Sequence, residues 1–221
     1  MPVYIVTGAN RGLGLEFVRQ ISQSSTNTVL AAVRSLQGDL NDLKQLASNA
    51  AGKVHILECN TGDIESIHAF GDAVKQTLGG SDKQIDYLLN NAGINATAEQ
   101  TSLDITAETV KVLAPNLGAG SVVLNMTSGL GSCGKKLTKC TTYAISKAAV
   151  NMLTVHQSEQ LKDRGIKVVC MDPGWVKTRM GGEGALLEPE ESISGMLKVM
   201  HNLRDDDNGK FYSYAGEEMP W

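Results

Sequence analysis

The sequence lacks most features that mark a metal-binding, secreted or membrane-spanning protein. Its 4 cysteines and 4 histidines show neither CxxC nor paired-histidine spacing, so no metal site is expected. No apolar run approaches the roughly 20 residues of a membrane-spanning helix, and the N-terminus has no basic segment typical of a signal peptide. We therefore expect free thiols and a cytoplasmic protein.

An excess of charge of one sign is also missing. The 20 Lys and Arg residues against 24 Asp and Glu give a net charge of −4, which provides no basic surface for nucleic acid or a membrane. Hydrophobic residues make up 42 % of the 221 residues, enough for a full core without disulfides. A small molecule is therefore the expected partner.

Short β-branched runs alternate with longer helical stretches, which predicts an α/β fold with a doubly wound parallel sheet and helices on both faces. The predicted strands are residues 3–7, 28–33, 54–58, 87–90, 121–126 and 166–171, with an edge strand at 210–214. The predicted helices are 13–22, 36–49, 63–78, 104–113, 142–164 and 188–203. The helix 142–164 is expected to be amphipathic and to end at Gly165. No linker divides the chain, so we expect a single Rossmann-type domain over 1–221, with about seven strands and a ligand at their carboxyl ends.

A glycine-rich loop follows the first predicted strand. Residues 7–14 read Thr-Gly-Ala-Asn-Arg-Gly-Leu-Gly and lead into a helix. Gly8 allows a tight turn, Gly12 lets backbone N–H groups reach a pyrophosphate, and Gly14 brings the helix close to the strand. This position predicts a dinucleotide site, with a merely structural turn as the alternative. The loop residues assigned to the cofactor are Gly8, Asn10, Arg11, Gly12, Leu13 and Gly14.

The residues after the second predicted strand indicate which nicotinamide cofactor is used. An NAD site has a carboxylate there for the ribose 2′-hydroxyl, whereas an NADP site has an arginine nearby. Here Arg34 and Ser35 follow the strand, and the first acidic residue is Asp39. Arg34 can clamp a 2′-phosphate, with Arg11 near the phosphates, so NADPH is the predicted cofactor. The alternative is a solvated surface arginine.

Tyr143 and Lys147 are four residues apart and share one face of the long predicted helix. The lysine ammonium, the helix N-terminus and an oxidised nicotinamide would all lower the tyrosine pKa. Such a tyrosine can donate a proton to the oxygen of a carbonyl that is being reduced. Ser128 follows the strand 121–126 and can hydrogen-bond the same oxygen, with an ordinary loop serine as the alternative.

These motifs occur in the order found in the short-chain dehydrogenase/reductase family, which the sequence resembles over essentially its whole length. They are the glycine loop, Asn90-Asn91-Ala92-Gly93, Ser128, Tyr143 with Lys147, and Asp172-Pro173-Gly174. Two further segments, one that begins at Pro173 and one that ends at Trp221, resemble the C-factor and sniffer-type carbonyl reductase branch.

The resemblance implies a role for each matching residue. Tyr143 would be the acid/base, Lys147 would orient the nicotinamide ribose, and Ser128 would polarise the carbonyl. Asn60 stands where the family usually has an aspartate beside the adenine. The further cofactor contacts implied are Asn60, Thr61, Asn91, Ala92, Gly93, Tyr143, Lys147, Pro173, Gly174, Val176 and Thr178.

The sequence departs from the family between Gly93 and Ser128, where it is unusually short. Most of the helix that carries a further catalytic asparagine and supports a homodimer is missing, which puts both the asparagine-held water and the homodimer in question. Asn116 follows Pro115 in a broken segment and is not assigned that role. The cofactor half is expected at about 1–93 and the catalytic half at about 94–221.

Two functions of different classes follow from these residues. The first is an NADPH-dependent oxidoreductase that reduces a ketone, aldehyde or quinone to an alcohol. The second is an NADP(H)-binding signalling or redox-sensing protein with little turnover. The complete set of Ser128, Tyr143 and Lys147 favours the enzyme. Cys133 and Cys140 could form a redox pair beside the site, although thiols without a role are the simpler interpretation.

Overall fold

The computed structural model describes residues 1–80, 83–93 and 102–221 of the chain. The strands are β1 (Val3–Thr7), β2 (Thr28–Val33), β3 (Lys53–Glu58), β4 (Ile85–Asn90), β5 (Leu117–Met126), β6 (Lys167–Asp172) and β7 (Phe211–Ser213). The helices are α1 (Gly12–Ile21), α2 (Asn41–Asn49), α3 (Ile64–Leu78), α4 (Ser102–Leu113), α5 (Thr141–Leu161) and α6 (Pro189–His201). Of the short segment predicted between 94 and 120, residues 94–101 lie outside the described ranges.

The strand order confirms the predicted doubly wound sheet. The described strands form one parallel sheet in the order β3-β2-β1-β4-β5-β6-β7. The chain runs outward from β1 through β2 to β3 and then crosses back to β4 on the other side of β1. The connections therefore diverge between the two central strands, β1 and β4. That divergence opens a crevice at their carboxyl ends, where such sheets bind ligands.

Both faces of the sheet are apolar, because helices cover both. Ile5 and Val6 are neighbours on β1, point to opposite faces and are both fully buried. Val6 belongs to the core under α1, α2 and α6, which includes Phe17. Ile5 belongs to the core under α3, α4 and α5, which includes Phe70. Burial on both faces explains why the strands read as continuous apolar runs rather than as an alternating pattern.

The predicted start of the second helix at residue 36 is wrong, since α2 begins at Asn41. The backbone N–H of Leu36 donates to Glu58 Oε2 at 2.8 Å, and that of Gln37 donates to Ser35 Oγ at 3.2 Å. Side chains therefore satisfy the N–H groups of this segment in a turn, which competes with helix formation. The segment after Arg34 stays a loop at the carboxyl edge of the sheet.

Strand β5 begins four residues earlier than predicted and contains an irregularity. Its register against β4 jumps from the pair Ile85 and Leu117 to the pair Tyr87 and Val122. Gly120, in the left-handed region at φ +87°, lies in the bulge, and Ser121 Oγ donates to the Ile85 carbonyl at 2.6 Å. The glycine-rich segment that interrupts the sequence pattern is thus absorbed at the amino end of β5.

The expectation that the long helix is amphipathic is wrong. The buried positions of α5 are mostly polar and include Lys147, Asn151, Thr154 and Gln157. Its exposed positions include apolar side chains, among them Ile145, Met152 and Val155. Polar groups on β5 face this helix and pair with it, so the usual apolar stripe is replaced by hydrogen bonds.

Within the described residues, no helix is long and apolar enough to cross a bilayer.

Candidate active site

The glycine loop between β1 and α1 packs so tightly that side chains are excluded from it. Gly8 and Gly12 have φ values of +67° and +54°, which favour glycine. A Cβ added to Gly14 would collide with the carbonyl oxygen of Gly8 and would lie 2.7 Å from Asn91 Nδ2. The start of α1, which includes Leu13, therefore rests directly on the end of β1, and its N-terminal N–H groups face the crevice.

The segment after β4 lies against this loop, as expected from the order of the strands. Asn91 Nδ2 donates to the Thr7 carbonyl at 2.8 Å, and the Ala92 N–H donates to Thr7 Oγ1 at 2.9 Å. A Cβ on Gly8 would lie 3.0 Å from Ala92 Cα. A Cβ on Gly93 would lie 4.0 Å from Lys147 Nζ, so this segment lies between the glycine loop and helix α5.

The cationic residues predicted to bind phosphate are exposed at the same edge. Among the described residues, neither the Arg11 nor the Arg34 guanidinium has an intramolecular hydrogen bond or ion pair. Asn10 Nδ2 donates to the Asp39 carbonyl at 3.4 Å and links the glycine loop to the segment after β2. Both guanidinium groups can therefore bind an anion without first losing a carboxylate partner.

Asn60 and Thr61 follow β3 at the next position along this edge. Asn60 Oδ1 accepts from the Gly62 N–H at 3.3 Å, and the Asn60 N–H donates to Ser66 Oγ at 2.9 Å. The asparagine oxygen thus holds the turn into α3, which leaves its amide nitrogen as the polar group available to a ligand.

Ser128, Tyr143 and Lys147 are brought together at the carboxyl ends of β5 and β6. The Ser128 side chain lowers the pKa of the Tyr143 phenol, and its hydroxyl accepts from the Leu130 N–H at 3.2 Å. Lys147 Nζ lies 5.6 Å from the centre of the Tyr143 ring and donates to the Met126 carbonyl at 2.9 Å. The three side chains therefore form one cluster at the carboxyl edge of the sheet, where the glycine loop also lies.

The electrostatics of this cluster differ from the expectation that the Tyr143 pKa is lowered. Burial raises the pKa of Tyr143, hydrogen bonding from Ser128 lowers it, and the nearby Asp172 and Cys140 raise it. Burial also lowers the pKa of Lys147 to about 8, since this side chain is only 7 % exposed. Both shifts have the same cause, because a site removed from water penalises each charged form.

The residues after β6 approach the glycine loop from the other side of the crevice. A Cβ on Gly12 would lie 3.7 Å from Thr178 Cγ2, which places Thr178 beside the phosphate loop. Val176 is buried, and the Pro173 carbonyl accepts from Ser192 Oγ at 2.7 Å. Gly174 has a φ of +79° and lies against Tyr214. Of the predicted nicotinamide-side residues, Thr178 thus lies beside the glycine loop.

Sequence reasoning missed the residues that support the cluster. Asp172 lies beside it: its Oδ1 accepts from the Gly174 N–H at 3.1 Å, and a Cβ on Gly129 would lie 2.9 Å from its Oδ2. Thr127 Oγ1 donates to Asn151 Oδ1 at 2.6 Å and ties β5 to α5. Asp172 belongs to a motif of the sequence, but nothing in the spacing signals how close it lies to Tyr143.

The remaining candidate groups differ in their distance from this chemistry, since Asn116 lies away from it and Cys140 lies near Tyr143. Asn116 is buried before β5, and its Nδ2 donates to the Lys83 carbonyl at 3.3 Å, at the opposite edge of the sheet from Ser128. Cys133 and Cys140 are exposed and free, while Cys59 and Cys170 are free and buried. Within the described part of the chain, no cluster of three or more His, Cys, Asp or Glu side chains could hold a metal.

Comparison with known proteins identifies the family that this crevice suggests. The family model described as short chain dehydrogenase matches residues 2–185. An uncharacterized oxidoreductase of Schizosaccharomyces pombe is 30 % identical over 253 aligned positions, which cover 99 % of this chain and 97 % of the relative. The C-signal protein of Myxococcus xanthus is 34 % identical over 154 positions, or 62 % of this chain and 93 % of that protein.

Solved structures agree with this assignment. The NADPH-bound carbonyl reductase from chicken fatty liver superposes with a TM-score of 0.90 at 32 % identity, over 100 % of both chains. The carbonyl reductase Sniffer of Drosophila melanogaster superposes with a TM-score of 0.86 at 27 % identity, again over 100 % of both chains.

The packing of the glycine loop predicts the effect of adding one methyl group. Gly14→Ala should lower the free energy of unfolding by about 1–3 kcal/mol, because the new Cβ collides with the Gly8 backbone. In an unconstrained helix the same change would instead stabilise by up to about 1 kcal/mol. Urea unfolding of the wild type and of Gly14→Ala measures the difference in their free energies of unfolding.

Gly62→Ala is the matched control. A Cβ on Gly62 would meet only Asn60 Oδ1 at 3.7 Å, so its stability should change by less than about 0.5 kcal/mol. A Gly14→Ala protein as stable as the wild type would contradict the close packing of α1 on β1.

Proposed function

Because this chain belongs to the short-chain dehydrogenases, we propose that it is an NADPH-dependent oxidoreductase that reduces a carbonyl to an alcohol. The observation that carries the proposal is the cluster of Ser128, Tyr143 and Lys147 beside the glycine loop. A protein that only bound a nucleotide would not need a proton donor, an oxygen-binding hydroxyl and an ammonium at the end of the nicotinamide crevice.

The residues of the crevice fit a dinucleotide with a 2′-phosphate. A pyrophosphate would occupy the space that the missing side chains of Gly8, Gly12 and Gly14 leave at the N-terminus of α1. Arg34 has no partner among the described residues, and it would hold the 2′-phosphate with support from Arg11 and Ser35. The Thr178 hydroxyl would face the carboxamide. When bound, NADPH supplies the hydride that adds to the carbonyl carbon.

The side chains of the cluster then control the carbonyl oxygen. Tyr143 donates its proton to the oxygen as negative charge develops there, and Ser128 hydrogen-bonds the same oxygen. Lys147 stabilises the phenolate that remains on Tyr143, since its ammonium lies on the same helix face. Solvent returns the proton to Tyr143, so each carbonyl reduced consumes one hydride and one proton.

The surface around the crevice favours an apolar carbonyl compound. Two loops flank the cluster, residues 129–142 and 175–188, and the exposed large apolar side chains on them are Leu137, Trp175, Met180 and Leu186. The two ends of the second loop are joined by a hydrogen bond, since the Lys177 N–H donates to the Leu187 carbonyl at 2.9 Å. Apolar groups beside a polar cluster suit a ketone, aldehyde or quinone with an apolar body.

The free thiols support a reducing compartment such as the cytoplasm.

A signalling or redox-sensing protein with little turnover is the second candidate. The similarity to the C-signal protein favours it, although that similarity covers 62 % of this chain. A protein that binds NADPH tightly and turns over no carbonyl in a broad panel of ketones, aldehydes and quinones would support this second candidate.

Replacing the phenol tests the proposed reaction. Tyr143→Phe should lower kcat/KM for carbonyl reduction by about 10²–10⁴-fold, because a positioned proton donor contributes roughly that factor. NADPH oxidation at 340 nm measures turnover, and fluorescence titration measures cofactor affinity, which should fall far less. Tyr87→Phe is the matched control, since Tyr87 stacks on Tyr4 away from the cluster. Full turnover in Tyr143→Phe would remove Tyr143 from the reaction.

Removing one guanidinium tests the cofactor preference. Arg34→Ala should weaken NADPH binding by about 10- to 100-fold, because hydrogen bonds to a charged group contribute about 1.5–3 kcal/mol. NADH affinity should stay the same, since NADH has no 2′-phosphate. Lys162→Ala removes a cation after the far end of α5 and controls for overall charge. Equal losses for the two cofactors would contradict the proposed phosphate clamp.

The carboxylate of Asp172 predicts a shift in the pH profile. Reduction requires protonated Tyr143, so activity is lost as the pH rises through the pKa of that phenol. Asp172 raises this pKa, and Asp172→Asn should therefore move the alkaline limb of kcat to lower pH. Asp172→Glu retains the charge and should keep the limb near its original position. An unshifted limb in Asp172→Asn would show that the carboxylate does not act on Tyr143.

A further inference from the structure

The loop that joins Ser128 to α5 begins at the Ser128 hydroxyl, so the contacts that hold the loop also set the position of that hydroxyl. Two parts of the chain contact the loop. On the inner side, Gly131 packs on the backbone of Lys147, where an added Cβ would lie 2.7 Å from the lysine carbonyl carbon. Asn151 Nδ2 also donates to the Gly131 carbonyl at 3.2 Å. The helix that carries Tyr143 therefore holds one side of the loop.

The last five residues of the chain form the other side. Residues 217–221 turn back along β7, because the Ser213 N–H donates to the Glu217 carbonyl at 2.9 Å and the Met219 N–H donates to the Phe211 carbonyl at 2.8 Å. Met219 is 5 % exposed and packs with Cys170 and Phe211. The Trp221 ring lies 5.7 Å from the Phe211 ring, centre to centre. The segment is thus anchored to the edge of the sheet.

This anchored segment contacts the loop at successive positions. Ser132 Oγ donates to the Pro220 carbonyl, and the Gly134 N–H donates to the main-chain oxygen of Trp221, each at 2.5 Å. A Cβ on Gly134 would lie 2.8 Å from Pro220 Cβ. Closer to the cluster, a Cβ on Gly129 would lie 3.4 Å from Met219 Cε. The contacts run from the residue after Ser128 to the middle of the loop.

We propose that residues 219–221 act as a strap that positions the loop carrying Ser128 for the reaction. The inference rests on the proposed function, because it assigns the strap to the placement of the oxygen-binding hydroxyl. Ser132 and Gly134 are positioning residues, since they reach the reacting atoms only through the loop. A small displacement of a group that binds developing charge lowers turnover more than it lowers cofactor binding.

The test compares a chain without Pro220 and Trp221, the variant Ser132→Ala, and the combination of the two. Each single change should lower kcat by about ten-fold or more while NADPH affinity stays the same. The combination should be no worse than the deletion alone, because both changes break the same link. Ser132→Thr retains the hydroxyl and should retain most of the turnover. Wild-type kcat in the deletion, or effects that multiply, would overturn the strap.

Hydrogen exchange provides a readout that does not depend on turnover. Deleting Pro220 and Trp221 should speed the exchange of amides 129–134 by about ten-fold or more, while amides of β1 and β4 stay protected. Unchanged exchange of this loop would overturn the strap even in an active enzyme. A wild-type protein that reduces no carbonyl would instead contradict the proposed function, and the exchange result would still decide whether the strap holds the loop.

A third variant guards against a deletion that does not fold. Trp221→Ala keeps both backbone carbonyls and loses the ring contact with Phe211, so it should loosen the same loop amides. Trp221→Phe restores an aromatic ring and should return both exchange and kcat towards the wild-type values. Failure of Trp221→Ala to change either readout would show that the ring does not anchor the strap.

Discussion

Hydrogen bonds between strand β5 and helix α5 hold the proposed catalytic groups in one place. Asn125 Nδ2 on the strand donates to Thr154 Oγ1 at 3.0 Å and to Gln157 Oε1 at 2.9 Å, and Thr127 bonds Asn151. Each buried polar group left without a partner costs about 1–3 kcal/mol. A slide of α5 by one turn, about 5.4 Å, would break all of these pairs at once. Tyr143 therefore keeps its position relative to Ser128, which follows the same strand.

The same burial sets the protonation state in which the site rests. It raises the pKa of Tyr143 and lowers that of Lys147, because water is excluded from both groups. A protonated phenol is the form that reduction of a carbonyl requires, whereas oxidation of an alcohol requires the phenolate. Burial thus keeps the Tyr143 phenol in the form that the proposed reduction requires. A positive charge at the nicotinamide end would favour the phenolate and so assist the proton transfer.

The features that could be predicted from the sequence are those that local pattern determines. Strands β1 and β2 have the predicted bounds, and Gly165 ends the long helical segment in the left-handed region, because apolar runs and glycine act within a few residues. The features that could not be predicted depend on distant partners. Glu58 holds the segment before α2 in a loop, and Asn125 makes the buried face of α5 polar. No local pattern reports a pairing partner more than twenty residues away.

The candidate site divides in the same way. The glycine loop and the pair formed by Tyr143 and Lys147 act through spacing along the chain, and spacing is what a sequence displays. Burial raises the pKa of the Tyr143 phenol, and Asp172 adds to that rise across the gap between β6 and α5. The position of a carboxylate relative to a phenol is decided by the sheet order, and sequence spacing does not give that distance.

The connection before β5 is held at the edge of the sheet opposite the site. Arg164 Nη2 donates to the carbonyls of Ala114 and Leu117, at 2.6 and 2.5 Å, and holds the end of this connection in place. The bulge at Gly120 takes up the remaining irregularity at the amino end of β5. From Val122 onward β5 is in regular register with β4 and β6, so Ser128 follows a regular strand end.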